Sequence, residues 1–102
     1  MLDEEAPGMT QQYLIGELSA RLGRLEAAAA REAAPDVARL RHKVEDGPLA
    51  GLGPAAVQAL ALADGLCWQS LNRGDAAAFS RQAEISADLR QFGVCARLLP
   101  DN

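Results

Sequence analysis

The sequence predicts an all-α protein, a small bundle of about four helices: one long, one short, then a helical hairpin. Three observations carry this. Hydrophobic residues make up 49% of the chain but aromatic ones only 4%, so a core must be built from Leu, Ala and Val. Ala and Leu favour helices, and β-branched residues are sparse. Pro35, Pro54, Gly74 and Gly93 fall where helices of ordinary length would start or stop. With 102 residues, one helical-bundle domain over residues 10–99 is expected.

Residues 1–9 read as a disordered acidic leader punctuated by Pro7-Gly8. Thr10 suits an N-cap, and the first helix is expected over residues 10–34, to the interruption at Pro35. Its apolar seam is Ile15, Leu18, Leu22, Leu25 and Ala29, at heptad a and d spacing. Pro35-Asp36 opens a short second helix that ends near Asp46, with Val37, Leu40 and Val44 as its seam. Residues 47–53 form a loop with three glycines and a proline. Pro54 then suits the first turn of a third helix ending near Arg73. Val57, Leu60, Leu62, Leu66, Trp68 and Leu71 make this helix apolar almost all round, the signature of a central helix.

Arg73-Gly74-Asp75 has the letters of an adhesion signal, but its place between two helical patterns gives it another role. Gly74 suits the left-handed position that ends a helix, and Asp75 suits the cap of the next. That fourth helix covers residues 75–92. Its expected core face is Ala78, Gln82, Ile85, Leu89 and Phe92, with Phe79 on the flank and Arg81, Glu84 and Asp88 solvated opposite. Gly93 is a C-cap candidate. Val94, Leu98 and Leu99 are apolar enough to fold the tail back, and residues 100–102 should fray. The Gly74-Asp75 turn with its alanine-rich following helix, small at Ser86, resembles the inner hinge of a tetratricopeptide repeat over one helical hairpin. Phe79 departs from that pattern and no second copy appears at a 34-residue period, so the likeness is read as a shared helix–turn–helix solution rather than membership.

Few residues suggest chemistry. The formal net charge of −4 disfavours broad phosphate neutralisation of a nucleic acid. No run of about 18 apolar residues suits a membrane span, and the acidic start does not suit a signal peptide, so a cytoplasmic protein is expected. The Arg-over-Lys bias and abundant Ala point to a GC-rich genome. Cys67 and Cys95 read as buried reduced thiols, and with His42 they show no zinc spacing. No glycine-rich phosphate loop or catalytic constellation occurs, so no metal, cofactor or enzyme activity is expected.

Three groups remain. Gly16, Ala20, Gly23, Ala27 and Ala30 form a small-residue stripe opposite the leucine seam, and the first four are the expected interface with a partner helix or a second copy. Asp64 lies among Leu60, Trp68 and Leu71, and reads as one half of a buried or half-buried ion pair with an arginine of a neighbouring helix, as a rim position facing water or, with Trp68 and Phe79, as part of a small-ligand pocket. Arg39, Arg41 and Lys43 form the one compact basic cluster, the alternative being a weak nucleic-acid contact. The leading expectation is a non-enzymatic interaction or regulatory protein acting through helix surfaces, with a protein or a second copy as partner and no membrane.

Overall fold

A computed structural model describes residues 10–47 and 51–100. The expected leader, residues 48–50 of the glycine-rich loop and residues 101–102 of the tail lie outside this range. Four helices follow one another: α1 (Gln11–Ala28), α2 (Ala34–Glu45), α3 (Leu52–Arg73) and α4 (Ala76–Cys95). Among the described residues there is no strand. Side-chain bonds between Ser19 and Glu45 and between Glu26 and Arg41 set α1 antiparallel to α2. Bonds from Ser70 to Gln82 and from Ser86 to Asp64 do the same for α3 and α4. The chain thus runs up and down through an all-α bundle.

Thr10 caps α1, its Oγ1 accepting the Tyr13 amide at 3.1 Å. Leu18, Leu22 and Leu25 are fully buried, and Ile15 packs partly against them. Each buried leucine contributes about 1.5–3 kcal/mol. The helix stops six residues earlier than its sequence suggests, and at 18 residues it is not the longest; α3, with 22, is. Ala29 turns extended (φ −82°, ψ 151°) although alanine favours helix. The reason is tertiary. A reversal there lets Val37, Leu40 and Val44 of α2 join the same apolar cluster as the α1 leucines. Ala30, counted with the small-residue stripe, falls in the turn beyond α1.

The Arg73-Gly74-Asp75 segment is a helix joint. Gly74 is left-handed (φ 72°) and ends α3; Asp75 Oδ1 accepts the Ala78 amide at 3.1 Å and starts α4. α3 is not surrounded, contrary to its sequence pattern. Its inward half is Leu52, Ala55, Ala56, Ala59, Ala63 and Leu66, while Val57, Trp68 and Leu71 stay exposed. In a four-helix arrangement every helix occupies a corner, so none can be apolar on all sides and buried.

α4 is rotated from the expected face. Ala78, Gln82, Ser86, Leu89 and Gly93 are buried, whereas Ile85 and Phe92 are half-buried. Asp88 is not part of a solvated stripe: it turns to α1, where it pairs with Arg21 and Arg24. Arg21 Nε lies 3.2 Å from Asp88 Oδ2 yet is out of line for a hydrogen bond, so that pairing is electrostatic. The same guanidinium lies 4.4 Å from the Phe92 ring centre. Gly93 does not end the helix. It lies in the last turn, where the Leu99 side chain occupies the space a Cβ would fill. The stop comes three residues on, at Ala96, followed by Arg97 in the left-handed region (φ 62°). Leu98 and Leu99 amides then bond back to the Gly93 carbonyl, so the tail does fold onto the bundle.

One buried polar chain joins three helices. Ser70 Oγ donates to Gln82 Oε1 at 2.7 Å, and Gln82 Nε2 donates to the Ala28 carbonyl at 2.8 Å. Ser70 and Gln82 are both fully buried. The amide thereby satisfies a carbonyl that the end of α1 would leave orphaned. Gln82→Leu keeps the volume and removes both bonds, stranding the Ala28 carbonyl. The expected loss is about 1–3 kcal/mol in urea unfolding.

Candidate functional site

The outer face of α3 is where the molecule departs most from an ordinary surface. At 100° per residue, Val57, Ala61 and Trp68 fall within one narrow strip, with Asp64 and Leu71 on one border and Gly65 on the other. Trp68 is 66% exposed, Val57 53% and Leu71 52%. Across residues 52–72 the only charged side chain is Asp64. A solvent-facing helix normally carries Lys, Arg and Glu on its outer side, and a contiguous apolar patch on a small protein marks an interaction surface.

Asp64 is held at the edge of this strip. Ser86 Oγ donates to its Oδ1 at 2.6 Å, and Arg90 lies 3.8 Å from its Oδ2. Both partners belong to α4, so the carboxylate is drawn aside and the strip's centre is left apolar. This is the half-buried ion pair that the sequence offers as one reading of Asp64. The pocket reading finds no matching geometry. Asp64 lines an open groove of about 370 Å³ with Val57, Leu60, Ala61, Arg90, Leu99 and Pro100, and neither Trp68 nor Phe79 is among its walls. Trp68 points outward, and Phe79 is half-buried on α4. The exposure of Trp68 was not legible from periodicity, because α3 has two apolar sides; the signal was the missing charge.

The small-residue stripe of α1 remains open. Gly16, Ala20 and Ala27 are exposed, Gly23 is half-buried, and a Cβ added at either glycine meets nothing within 4 Å. Beside it Tyr13 is half exposed, the one large apolar side chain on that side. At its far end lie Arg24, Arg81 and Glu84, lining a groove with Ala27.

The basic cluster does not act as a unit. Residues at i, i+2 and i+4 cannot share a helix face. Arg39 pairs with Asp36 at 2.9 Å, while Arg41 turns to α1 and bonds Glu26 and Glu45 at 3.0 and 3.2 Å. Lys43 and Arg39 rim a groove of about 400 Å³ between α2 and α3, floored by Leu40, Ala61 and Leu62. The Ser19 hydroxyl, then Arg41, hold the Glu45 carboxylate below the ordinary carboxylate range, and the hydrogen bonds that Arg41 donates to Glu26 and Glu45 push the guanidinium up. His42 is exposed, and among the described residues no three His, Cys, Asp or Glu side chains converge as a metal site would need. Cys67 is half-buried, and Cys95 is exposed rather than buried as the sequence suggests, because it lies in the last turn of α4 where little packs over it. Burial first, then the negative charge of Asp64, push the Cys67 thiol up. No helix among the described residues is long and apolar enough to cross a membrane.

Compared with known protein families, curated proteins and solved structures, the chain matches none.

Two measurements check these environments. An alkylating reagent is expected to modify Cys95 well before Cys67. Asp64→Asn should speed Cys67 alone by about two- to threefold, because only the thiolate reacts; equal rates in peptide mass spectra would contradict it. The second concerns acid. A carboxylate with a lowered folded pKa adds stability above its unfolded value and loses it as pH falls through the folded one. Ser19→Ala should therefore cost stability at neutral pH, and the difference from the wild type should vanish in strongly acidic unfolding titrations.

Proposed function

We propose that this is a non-enzymatic interaction protein, regulatory in role, that docks another helix on the outer face of α3. The observation that carries this reading is the coincidence of Val57, Trp68 and Leu71 as exposed large hydrophobics on one helix face whose only charge is Asp64. Exposed Trp on a flat strip is the type of residue that supplies a binding hot spot. The geometry shifts the favoured interface from the α1 stripe of Gly16, Ala20, Gly23 and Ala27 to α3. The α1 stripe offers close approach but little apolar area, whereas the α3 strip offers both large side chains and the small Ala61 and Gly65 between them.

The nucleic-acid alternative through Arg39, Arg41 and Lys43 has less support, since Arg41 is already neutralised by Glu26 and Glu45. A small-ligand role would need an enclosed space, and the groove beside Asp64 is open.

Site-specific photo-crosslinking in the native cell checks the reading. A photoreactive residue in place of Trp68 or Leu71 is expected to yield discrete adducts, and one in place of His42 or Gly16 none. Adducts confined to Gly16 would return the interface to α1. Adducts from no position would end the interaction reading.

A further inference from the structure

We propose that the helix docked on the outer face of α3 is the α3 of a second copy, packed antiparallel about a two-fold axis near residues 64–65. This rests on the interaction reading above and names its partner.

The strip is self-complementary under that operation. Trp68 and Ala61 are one heptad apart on the same face. A two-fold axis between Asp64 and Gly65 sets Trp68 of one copy opposite Ala61 of the other, and sets Val57 and Leu71 level with the partner's Asn72 and Gln58, one residue from the partner's Leu71 and Val57. Each bulky indole then meets the smallest part of the opposing strip, the partner's Ala61 beside the partner's Gly65. The contact is isologous, the same patch used twice, as a closed dimer requires. Among the described residues nothing fills that space: Ala61 is exposed, and a Cβ at Gly65 would meet no atom within 4 Å.

Charge supports the same occupant. The strip's one acid is accompanied by one base, Arg90, which is exposed and 3.8 Å from it. At the axis two carboxylates would come together with two guanidiniums, so self-pairing is balanced, and each Asp64 gains a second cation from across the interface. Ser86 keeps the carboxylate on the α4 side, out of the indole's way. A strip bearing an unpaired charge, or several of one sign, would repel its own copy.

The area is adequate for a reversible dimer. Trp68, Val57 and Leu71 with their neighbours offer on the order of 500 Å² per copy, near the lower bound of about 1,000 Å² in total for a specific contact. The helix is about 33 Å long, so the strip can bear along its length.

Trp68 is the only tryptophan, so the interface carries its own reporter. The full chain is followed by light scattering and by indole emission, from low micromolar to near-millimolar concentration. The mass is expected to rise from 10.8 kDa to twice that value, with the emission moving to the blue at the same midpoint. Ala61→Arg and Trp68→Glu, both at exposed positions, should hold the mass at 10.8 kDa throughout with unchanged helical circular dichroism. Gly16→Arg should still double. A wild type that stays at the single mass overturns the second copy; if position 68 then still crosslinks to other proteins, the interaction reading survives without it. Doubling that Ala61→Arg leaves intact, or that Gly16→Arg abolishes, overturns the α3 contact itself.

Discussion

The carboxamide of Gln82 ties together α1, α3 and α4. Among the described residues it is the largest polar side chain that is completely buried. A buried amide without partners would cost several kcal/mol, so its two bonds are conditions of folding rather than ornaments. One holds the Ala28 carbonyl and marks where α1 stops; the other holds Ser70 and fixes the height of α3. With Gln82 inward, the pitch of α4 places Ser86 against α3, where it meets Asp64, and Asp88 against α1, where it meets Arg21 and Arg24. The polar pairs that flank the core are thus consequences of one rotation.

That rotation also decides which side of α3 faces out. The facing sides of α3 and α4 carry small residues, Ala63, Ser70, Ala78 and Ser86 among the buried ones. Small side chains let the two backbones approach, and the approach brings Ser70 within reach of Gln82. Had Val57, Trp68 and Leu71 faced inward instead, their bulk would have separated the helices and stranded the amide. The alanine face wins the interior because it permits the hydrogen bonds, and the larger hydrophobic side chains are left outside. Burial by size alone would choose the other face; the exposed strip is the by-product of a polar constraint.

Much of the fold was legible in the sequence, and what was not shares one cause. The caps at Thr10, Gly74 and Asp75 and the first-turn Pro35 are local chemistry, and each acts where its residue type demands. The seams Leu18–Leu22–Leu25 and Val37–Leu40–Val44 follow from periodicity within one helix. The end of α1 was not legible, because its last carbonyl is satisfied by a side chain 54 positions away. The rotation of α4 was misread because Phe92 and Ile85 look more apolar than Ser86 and Gly93, whose value lies in being small. The α1 stripe was visible as a pattern of glycine and alanine, and a Cβ at Gly16 or Gly23 would meet no described atom within 4 Å. The α3 strip was not read as a surface, since an all-apolar helix looks central until the number of its neighbours is known.

Asp64 has a part in this that its half-exposed carboxylate does not advertise. A wholly apolar strip would pair with itself in any register and either direction, which is how surface patches lead to aggregation. One acid near the middle limits the choices. In a parallel, in-register pair Trp68 would stand against its own copy, too bulky for close packing, and Asp64 would face Asp64 with both Arg90 side chains on outer flanks. A slide of that parallel pair by one heptad either way would leave a carboxylate opposite Val57 or Leu71, with no second cation from the other copy. The proposed antiparallel setting about residues 64–65 would put both indoles on alanine and offer each acid a base from either copy. In the proposed dimer the anchoring of Asp64 by Ser86 and Arg90 would thus act at a distance from the core, by favouring one geometry for a face that hydrophobicity by itself would leave indiscriminate.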